Sequence, residues 1–145
     1  MNLDQCLNEF LADLNVFYRK LQNYHWNIKG ENFFEVHAKL EELYECVNKS
    51  IDEIAEHILI LGKQPLGTLK DYLTISKINE AENKKINSTE IFKILIQDYQ
   101  TLLKKVIEIK EEADTQKEYS TSTLMDDYIT NYGKILWMLK QTTTN

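Results

Sequence analysis

The stretch that decides the fold is "YHWNIKGENFFEVHAKLEELYECVNKSIDEIAEH", which runs from residue 24 to residue 57. It contains all three histidines of the chain, with acidic residues spaced regularly between them. Its apolar residues repeat at intervals of three and four on both sides of Gly30, which indicates helix. The stretch therefore predicts two helices joined by a tight turn.

Helices A and B are predicted from the two apolar stripes that this stretch connects. The first stripe covers residues 3–28 and the second covers residues 33–61. Gly30 and Gly62 lie just beyond them, and glycine accepts the left-handed backbone with which many helices end. We therefore expect helix A to stop at Gly30 and helix B at Gly62, with Pro65 just beyond.

The rest of the chain predicts two more long helices after a long connection. Apolar stripes over residues 91–109 and 124–139 indicate helices C and D, and the Ser/Thr cluster at residues 120–123 is predicted to break the chain between them. Residues 63–86 connect helices B and C, with a short helix expected over residues 66–75. This order predicts an all-α, ferritin-like four-helix bundle with a short extra helix in the long connection between helices B and C.

Capping signals mark two of the helix starts. In two places an asparagine is followed three residues later by a glutamate, a spacing that resembles a capping box. The pairs are Asn32 with Glu35 and Asn87 with Glu90. These pairs are predicted to open helices B and C. The final residues, "QTTTN", are expected to form a frayed tail.

Length and charge limit the classes of protein to consider. The 145 residues suit a single domain over residues 1–145. With 17 basic and 23 acidic residues, the net charge is −6, which disfavours nonspecific binding to nucleic acid or anionic membranes. No basic leader precedes an apolar stretch, and the aliphatic run at residues 58–61 is too short to span a bilayer. We expect a cytoplasmic protein, in which Cys6 and Cys46 lack the spacing of a zinc site.

Histidine and carboxylate side chains share one face of helix B. His37 and Glu41 are four residues apart, as are Asp52 and Glu56, so each pair can reach a common ion. The two pairs cannot share that ion within one chain, because the helix from residue 41 to residue 52 spans about 16 Å. Most charged helix faces are simply solvated, and this interpretation stays open beside that of metal ligands.

A second copy of helix B would bring the two pairs together. If two copies run antiparallel about a twofold axis between residues 46 and 47, His37 lies opposite Glu56 of the partner subunit. The same symmetry sets Glu41 opposite Asp52 of the partner subunit. A symmetric dimer would therefore complete two equivalent sites.

His25 supplies a further candidate ligand. It lies on the apolar stripe of helix A, where a lone histidine is more often a hydrogen-bonded core residue than a ligand. The turn at Gly30 lets helix A approach His37, which favours the ligand interpretation. Two imidazoles with three carboxylates suit borderline-hard divalent metals such as iron, with zinc as an alternative.

These motifs carry a resemblance to a known family. The stretch "NYHWNIKGENFFEVHAKLEELYECVNKSIDEIAEH" (residues 23–57), followed by "LGKQPLGTL" (61–69) and "ILWML" (135–139), resembles the Dps family of mini-ferritins, most closely its neutrophil-activating protein subgroup. The resemblance covers nearly the whole chain. It implies a homo-oligomer, a hollow shell of twelve subunits built from twofold dimers, with iron bound between two subunits.

The resemblance also implies roles for individual residues. The catalytic and metal-binding set comes from two chains, with His25, His37 and Glu41 from one and Asp52 and Glu56 from its partner. Trp26 matches the family aromatic held near the metal, and its alternative role is that of a packed interface indole. Asp126 and Asp127 lie at the place of the family's ion-entry pore, or else are favourable charges in the first turn of helix D.

The implied activity is that of a ferroxidase and iron store. Fe(II) is oxidised to Fe(III), with hydrogen peroxide preferred to dioxygen, and ferric oxide is stored inside the shell. Carboxylates stabilise the harder Fe(III) product, while imidazoles retain Fe(II). Two irons that pass two electrons to peroxide together suppress the release of hydroxyl radical, so the resemblance also implies protection against oxidative stress.

The chain departs from many family members in two respects. Many bind DNA through a lysine-rich terminal extension, whereas this chain begins "MNLDQCLNEF" and ends "KQTTTN". Twelve chains with a charge of −6 each would repel phosphate, which disfavours the alternative function of a DNA-coating protein with a secondary metal site. His57 stands where relatives often carry arginine, and we expect it to be a surface or interface residue. A role as a host-cell ligand is a third hypothesis, and no residue pattern in the sequence favours or disfavours it.

Overall fold

Five helices make up most of the structure, a computed structural model that describes residues 2–143. The helices in that range are α1 (Leu3–Asn27), α2 (Phe33–Ile60), α3 (Leu69–Ile75), α4 (Ser88–Thr115) and α5 (Tyr119–Gln141). Two short strands are β1 (Ile28–Lys29) and β2 (Ile86–Asn87). The prediction of an all-α bundle with four long helices and a short one in the crossover is confirmed.

The four long helices bury their apolar stripes in one core. α1 contributes many fully buried side chains to this core. Among them are Phe10, Leu14 and Phe17, which have no exposed surface. α1 packs most extensively against α2, and α4 packs against α5, while α1 also contacts α4. Each buried side chain of this size contributes about 1.5–3 kcal/mol, and such packing stabilises the helices. None of the helices within residues 2–143 is long and apolar enough to cross a membrane.

The strands β1 and β2 join the two helical pairs at one end of the bundle. They pair in parallel, with Ile28 beside Ile86 and Lys29 beside Asn87. α2 and α4 therefore begin at the same end of the bundle and run in the same direction. Because the 28 residues of α2 span about 42 Å, the chain needs a long connection to return to that end. α3 lies in this connection and packs on α1.

The turn between α1 and α2 differs from the expectation in two details. α1 ends at Asn27, three residues before Gly30, because the next two residues form β1 instead of continuing the helix. The predicted capping box at Asn32 is wrong, since its side chain makes no cap hydrogen bond. Its Nδ2 donates instead to Ser88 Oγ over 2.8 Å, which links the starts of α2 and α4.

Two other predicted helix ends, the start of α4 and the end of α2, are confirmed. Asn87 Oδ1 accepts a hydrogen bond of 3.0 Å from the backbone N–H of Glu90, as expected for the cap of α4. α2 ends beside Gly62, which has a φ of 77°. The predicted frayed tail starts one residue too early, since Gln141 still belongs to α5. Residues 144 and 145 of that tail lie outside the described residues.

The Ser/Thr cluster at residues 120–123 does not break the chain, so that prediction is wrong. α5 already begins at Tyr119, and the break lies just before it, where Lys117 takes a left-handed φ of 58°. Thr121 is buried, and its hydroxyl lies 2.7 Å from His57 Nε2 on α2. Such a tertiary partner satisfies the hydroxyl, which in isolation would favour a turn.

Buried polar side chains link α1 to its neighbours. Lys20 Nζ lies 2.8 Å from Asp98 Oδ2 on α4, and both residues are more than nine-tenths buried. Asp13 Oδ1 accepts hydrogen bonds from Ser76 Oγ over 2.9 Å and from the backbone N–H of Lys77 over 2.7 Å. These contacts hold α4 and the end of α3 against α1.

Candidate metal centre

Two histidines face each other across the turn between α1 and α2. His25 lies in the last turn of α1, and His37 lies in the second turn of α2. Their rings stack with centroids 3.6 Å apart and planes inclined by 13°. Gly30, with a φ of 122°, takes a conformation open mainly to glycine in the short turn between them. The structure therefore brings these two predicted ligands together.

Each of these histidines is held by the backbone of the other. His25 Nδ1 lies 2.6 Å from the carbonyl oxygen of His37, and His37 Nδ1 lies 2.7 Å from the carbonyl oxygen of His25. A carbonyl oxygen only accepts hydrogen bonds, so both Nδ1 atoms donate and carry protons. In the neutral imidazole, Nε2 then keeps the lone pair that binds a metal ion. The two hydrogen bonds fix both the tautomer and the orientation of the rings.

Glu41 adds a carboxylate to the two imidazoles. It follows His37 by about one helical turn, and its Oε1 lies 3.7 Å from His25 Nε2. The side chain of His25 is 7% exposed, whereas that of Glu41 is 58% exposed. The imidazole of His25 is thus buried, whereas the carboxylate that approaches it is on the surface. We call His25, His37 and Glu41 the histidine half-site.

Asp52 and Glu56 lie further along α2 and do not join this cluster. Both are exposed, and they line an open groove of about 770 Å³ together with Glu53 and Leu124. Within residues 2–143, no three His, Cys, Asp or Glu side chains are arranged to hold a metal ion. One chain therefore contains two separate parts of the predicted ligand set. We call Asp52 and Glu56 the carboxylate half-site.

Trp26 lies on the surface beside the histidine half-site. It follows His25 in the sequence and is 55% exposed. The guanidinium carbon of Arg19 lies 5.8 Å from its ring centroid, a cation–π contact that orients the indole.

The two predicted pore residues lie in α5, seven and eight residues after its first residue. Asp126 pairs with Lys110 on α4 over 2.8 Å, and Asp127 is exposed. Neither is in the first turn of α5, which begins at Tyr119, so their interpretation as first-turn charges is wrong. The apolar stripe had placed the start of this helix five residues too late.

His57 is buried, so the expectation of a surface or interface residue is wrong. It is 7% exposed, and its Nε2 lies 2.7 Å from Thr121 Oγ1. Burial lowers the pKa of His57, against the opposing effect of Glu118 and Glu53, and so favours the neutral ring. The side chain points towards α5, a neighbour that a helical wheel of α2 does not show.

One contact beside the carboxylate half-site has no signal in the sequence. The hydroxyl of Tyr128 on α5 donates a hydrogen bond to Oε1 of Glu53, the residue that follows Asp52. Burial, and then this hydrogen bond, raise the pKa of Tyr128 well above its ordinary value. The partners are 75 residues apart, so no spacing within a helix could have indicated the contact.

Comparison with known proteins places the chain in a family. Residues 5–145 match the family described as a ferritin-like domain. The DNA protection during starvation protein of Helicobacter pylori (strain J99) is 35% identical over 140 residues, which cover 97% of this chain and 97% of that protein. The chain belongs to the Dps family of ferritin-like proteins. The resemblance stated from the sequence is thereby confirmed.

Solved structures of other proteins share the fold of this Dps-family chain. Helicobacter cinaedi CAIP has a TM-score of 0.96 at 35% identity, with 99% of this chain and 100% of that chain covered. The Dps protein of Vibrio cholerae O1 has a TM-score of 0.94 at 38% identity, with coverages of 98% and 89%. That protein is described as a member of a broad superfamily of ferritin-like diiron-carboxylate proteins.

Membership of the Dps family implies iron as the metal, and the donor atoms present suit it. The histidine half-site offers the Nε2 atoms of two imidazoles and one carboxylate. The carboxylate half-site offers oxygen donors only. Nitrogen and oxygen donors of this kind bind Fe(II) and Fe(III), whereas no thiolate belongs to either half-site.

Proposed function

We propose that this Dps-family chain is the subunit of an iron-oxidising and iron-storing protein. It oxidises Fe(II), its substrate, to Fe(III) with hydrogen peroxide at sites between two subunits, and it stores the ferric product inside a shell of twelve subunits. The observation that carries the proposal is the reciprocal hydrogen bonding of His25 and His37. It leaves two Nε2 lone pairs beside the carboxylate of Glu41.

A twofold dimer is proposed to complete each site. Antiparallel packing of two α2 helices about an axis between residues 46 and 47 sets the histidine half-site against the partner's carboxylate half-site. Exposed apolar side chains at both ends of α2 support this arrangement. Phe34 is 79% exposed and Leu59 is 56% exposed, and the same symmetry sets Phe34 opposite Leu59 of the partner subunit. Burial of such side chains contributes about 1.5–3 kcal/mol each.

The ligand types suit the proposed reaction. Imidazole nitrogens retain Fe(II), and the three carboxylates favour the harder and more highly charged Fe(III). When two Fe(II) ions are oxidised together, peroxide takes up two electrons and two protons and gives two molecules of water. No hydroxyl radical is released, which is the basis of the proposed protection against oxidative stress.

Iron is proposed to enter the shell past Asp126 and Asp127. Asp126 is paired with Lys110, so its charge is partly neutralised. Asp127 is exposed and is the stronger candidate for attracting a cation. Replacing Asp127 by asparagine therefore tests entry more directly than replacing Asp126.

Stopped-flow absorbance tests the proposed reaction. The protein is loaded with Fe(II) without oxygen and mixed with hydrogen peroxide, and wild type is compared with His37→Ala and Glu42→Gln. Glu42 is an exposed carboxylate next to Glu41, but it pairs with Lys39 over 3.2 Å and belongs to neither half-site. We expect His37→Ala to lose fast oxidation and Glu42→Gln to keep it. Equal traces for wild type and His37→Ala would show that His37 is not a needed ligand.

A further inference from the structure

Three buried tyrosines form a continuous path of rings that ends at α2. The centroids of Tyr99 and Tyr132 are 5.7 Å apart, and those of Tyr132 and Tyr128 are 5.9 Å apart. All three residues are less than a tenth exposed. At the end of the path, the Tyr128 hydroxyl donates to Glu53, which lines the same groove as Asp52 and Glu56. The path therefore ends at a residue of the groove that the carboxylate half-site also lines.

Phenylalanine rings cover this path. Phe10 lies edge-on to Tyr128 with centroids 5.4 Å apart, and Phe17 lies edge-on to Tyr99 at 5.0 Å. Both phenylalanines are fully buried. A radical formed on these tyrosines is thereby shielded from molecules in solution.

The phenols differ in where their protons can go. A phenol that loses an electron becomes strongly acidic and must pass its proton to a base. Tyr128 has such a base in the carboxylate of Glu53. The buried hydroxyl of Tyr132 has no hydrogen-bond partner among residues 2–143, so its oxidation would leave a buried positive charge. Burying an unpaired charge is strongly unfavourable. Tyr128 is therefore the better electron donor of the two.

We propose that Tyr128 donates an electron to the peroxide reaction at the iron site, with Glu53 accepting its proton. The inference rests on the proposed function and concerns a site that holds a single Fe(II). That ion supplies one electron, and peroxide reduced by one electron gives hydroxide and a hydroxyl radical. Tyr128 supplies the second electron, so the oxygen–oxygen bond breaks without releasing that radical.

The atoms and charges of this step balance. One Fe(II), one hydrogen peroxide, the Tyr128 phenol, the Glu53 carboxylate and two protons taken up from the solution are consumed. The products are one Fe(III), a neutral tyrosyl radical, a protonated Glu53 and two molecules of water. The phenolic O–H bond breaks, and its proton stays within the hydrogen bond between Tyr128 and Glu53.

Rapid freeze-quench electron paramagnetic resonance tests the proposal on the assembled protein. The protein is loaded without oxygen with at most one Fe(II) per site and mixed with hydrogen peroxide. Iron oxidation is followed by absorbance, and hydroxyl radical is followed with a spin trap in parallel samples. The variants are Tyr128→Phe, Glu53→Gln and the matched control Tyr132→Phe, which removes a buried hydroxyl that makes no hydrogen bond within residues 2–143.

We expect a tyrosyl radical in wild type and in Tyr132→Phe. Tyr128→Phe should lose this signal and release more trapped hydroxyl radical, although its iron is still oxidised. Glu53→Gln should form the radical about a hundredfold more slowly, because the positioned proton acceptor is lost. The Glu53→Gln variant keeps the phenol of Tyr128, so its result remains informative even if Tyr128→Phe fails to fold.

Each contrary result has a distinct meaning. An unchanged tyrosyl signal in Tyr128→Phe, or no radical in a wild-type protein that oxidises iron, overturns Tyr128 as the donor. An unchanged rate of radical formation in Glu53→Gln overturns Glu53 as the proton acceptor. Absence of iron oxidation in the wild type overturns the proposed function itself, and this inference with it.

Discussion

Two inactive variants should rebuild an active site if its ligands come from two chains. His37→Ala removes a ligand from the histidine half-site, and Asp52→Ala removes one from the carboxylate half-site. These residues are separated by about 22 Å along α2, so they cannot bind one ion within a chain. In a dimer of one variant with the other, one site lacks both ligands and the second site keeps both.

The size of the recovery follows from the symmetry. Random pairing of equal amounts makes about half of the dimers mixed, and each mixed dimer has one intact site out of two. The mixture should therefore regain about a quarter of the wild-type sites, whereas each variant alone has none. A site formed within one chain would show no recovery.

The assay is the amplitude of fast Fe(II) oxidation by hydrogen peroxide after the two variants are unfolded and refolded together. Mass spectrometry confirms that mixed dimers have formed. The control mixes His37→Ala with Glu41→Ala, two changes in the same half-site, which leaves every site of every dimer short of one ligand. Activity in this control would refute the reasoning, and so would an inactive first mixture that contains mixed dimers.

Three further predictions concern stability and DNA. Lys20→Met should lower the free energy of unfolding in urea by about 3–5 kcal/mol, because Asp98 is left buried and unpaired, and adding Asp98→Leu should restore most of it. A single variant as stable as wild type would contradict this. Burial raises the pKa of Asp13 above 3.8, so at pH 7 the folded protein bears the cost of its charge, and Asp13→Asn should be more stable. The extra stability of Asp13→Asn should shrink as the pH falls towards 3.8, because wild-type Asp13 then takes up a proton. If the extra stability grew as the pH fell, the pKa of Asp13 would be shifted in the opposite direction. In a gel-shift assay at physiological salt, the assembled protein should not retain DNA, since each chain carries a charge of −6; retention that added salt abolishes would favour the DNA-coating alternative.

Helical periodicity predicted all four long helices and the short one in the crossover. A stripe at intervals of three and four depends only on nearby residues, so it can be found without the fold. Helix ends were less predictable, because they respond to partners elsewhere in the chain. Asn32 bonds to Ser88 instead of capping α2, and Thr121 bonds to His57 instead of starting a turn.

For the candidate site as well, the sequence predicted the contacts within one helix or across a short turn, but not those that depend on helix packing. Spacing paired His37 with Glu41 and Asp52 with Glu56, since residues four apart lie on one helix face. The contact of His25 with His37 was expected from the short turn at Gly30. Neither the buried place of His57 nor the hydrogen bond of Tyr128 could be inferred, because both depend on how α5 packs against α2.

The sequence by itself determined which residues are helical and which donors share a face, because the geometry of a helix turn is local. Only the tertiary structure decided which ring nitrogens carry protons. His25 and His37 each donate from Nδ1 to a backbone carbonyl twelve residues away. Such a bond exists only once two helices have packed, and it leaves Nε2 of both rings available for a metal ion.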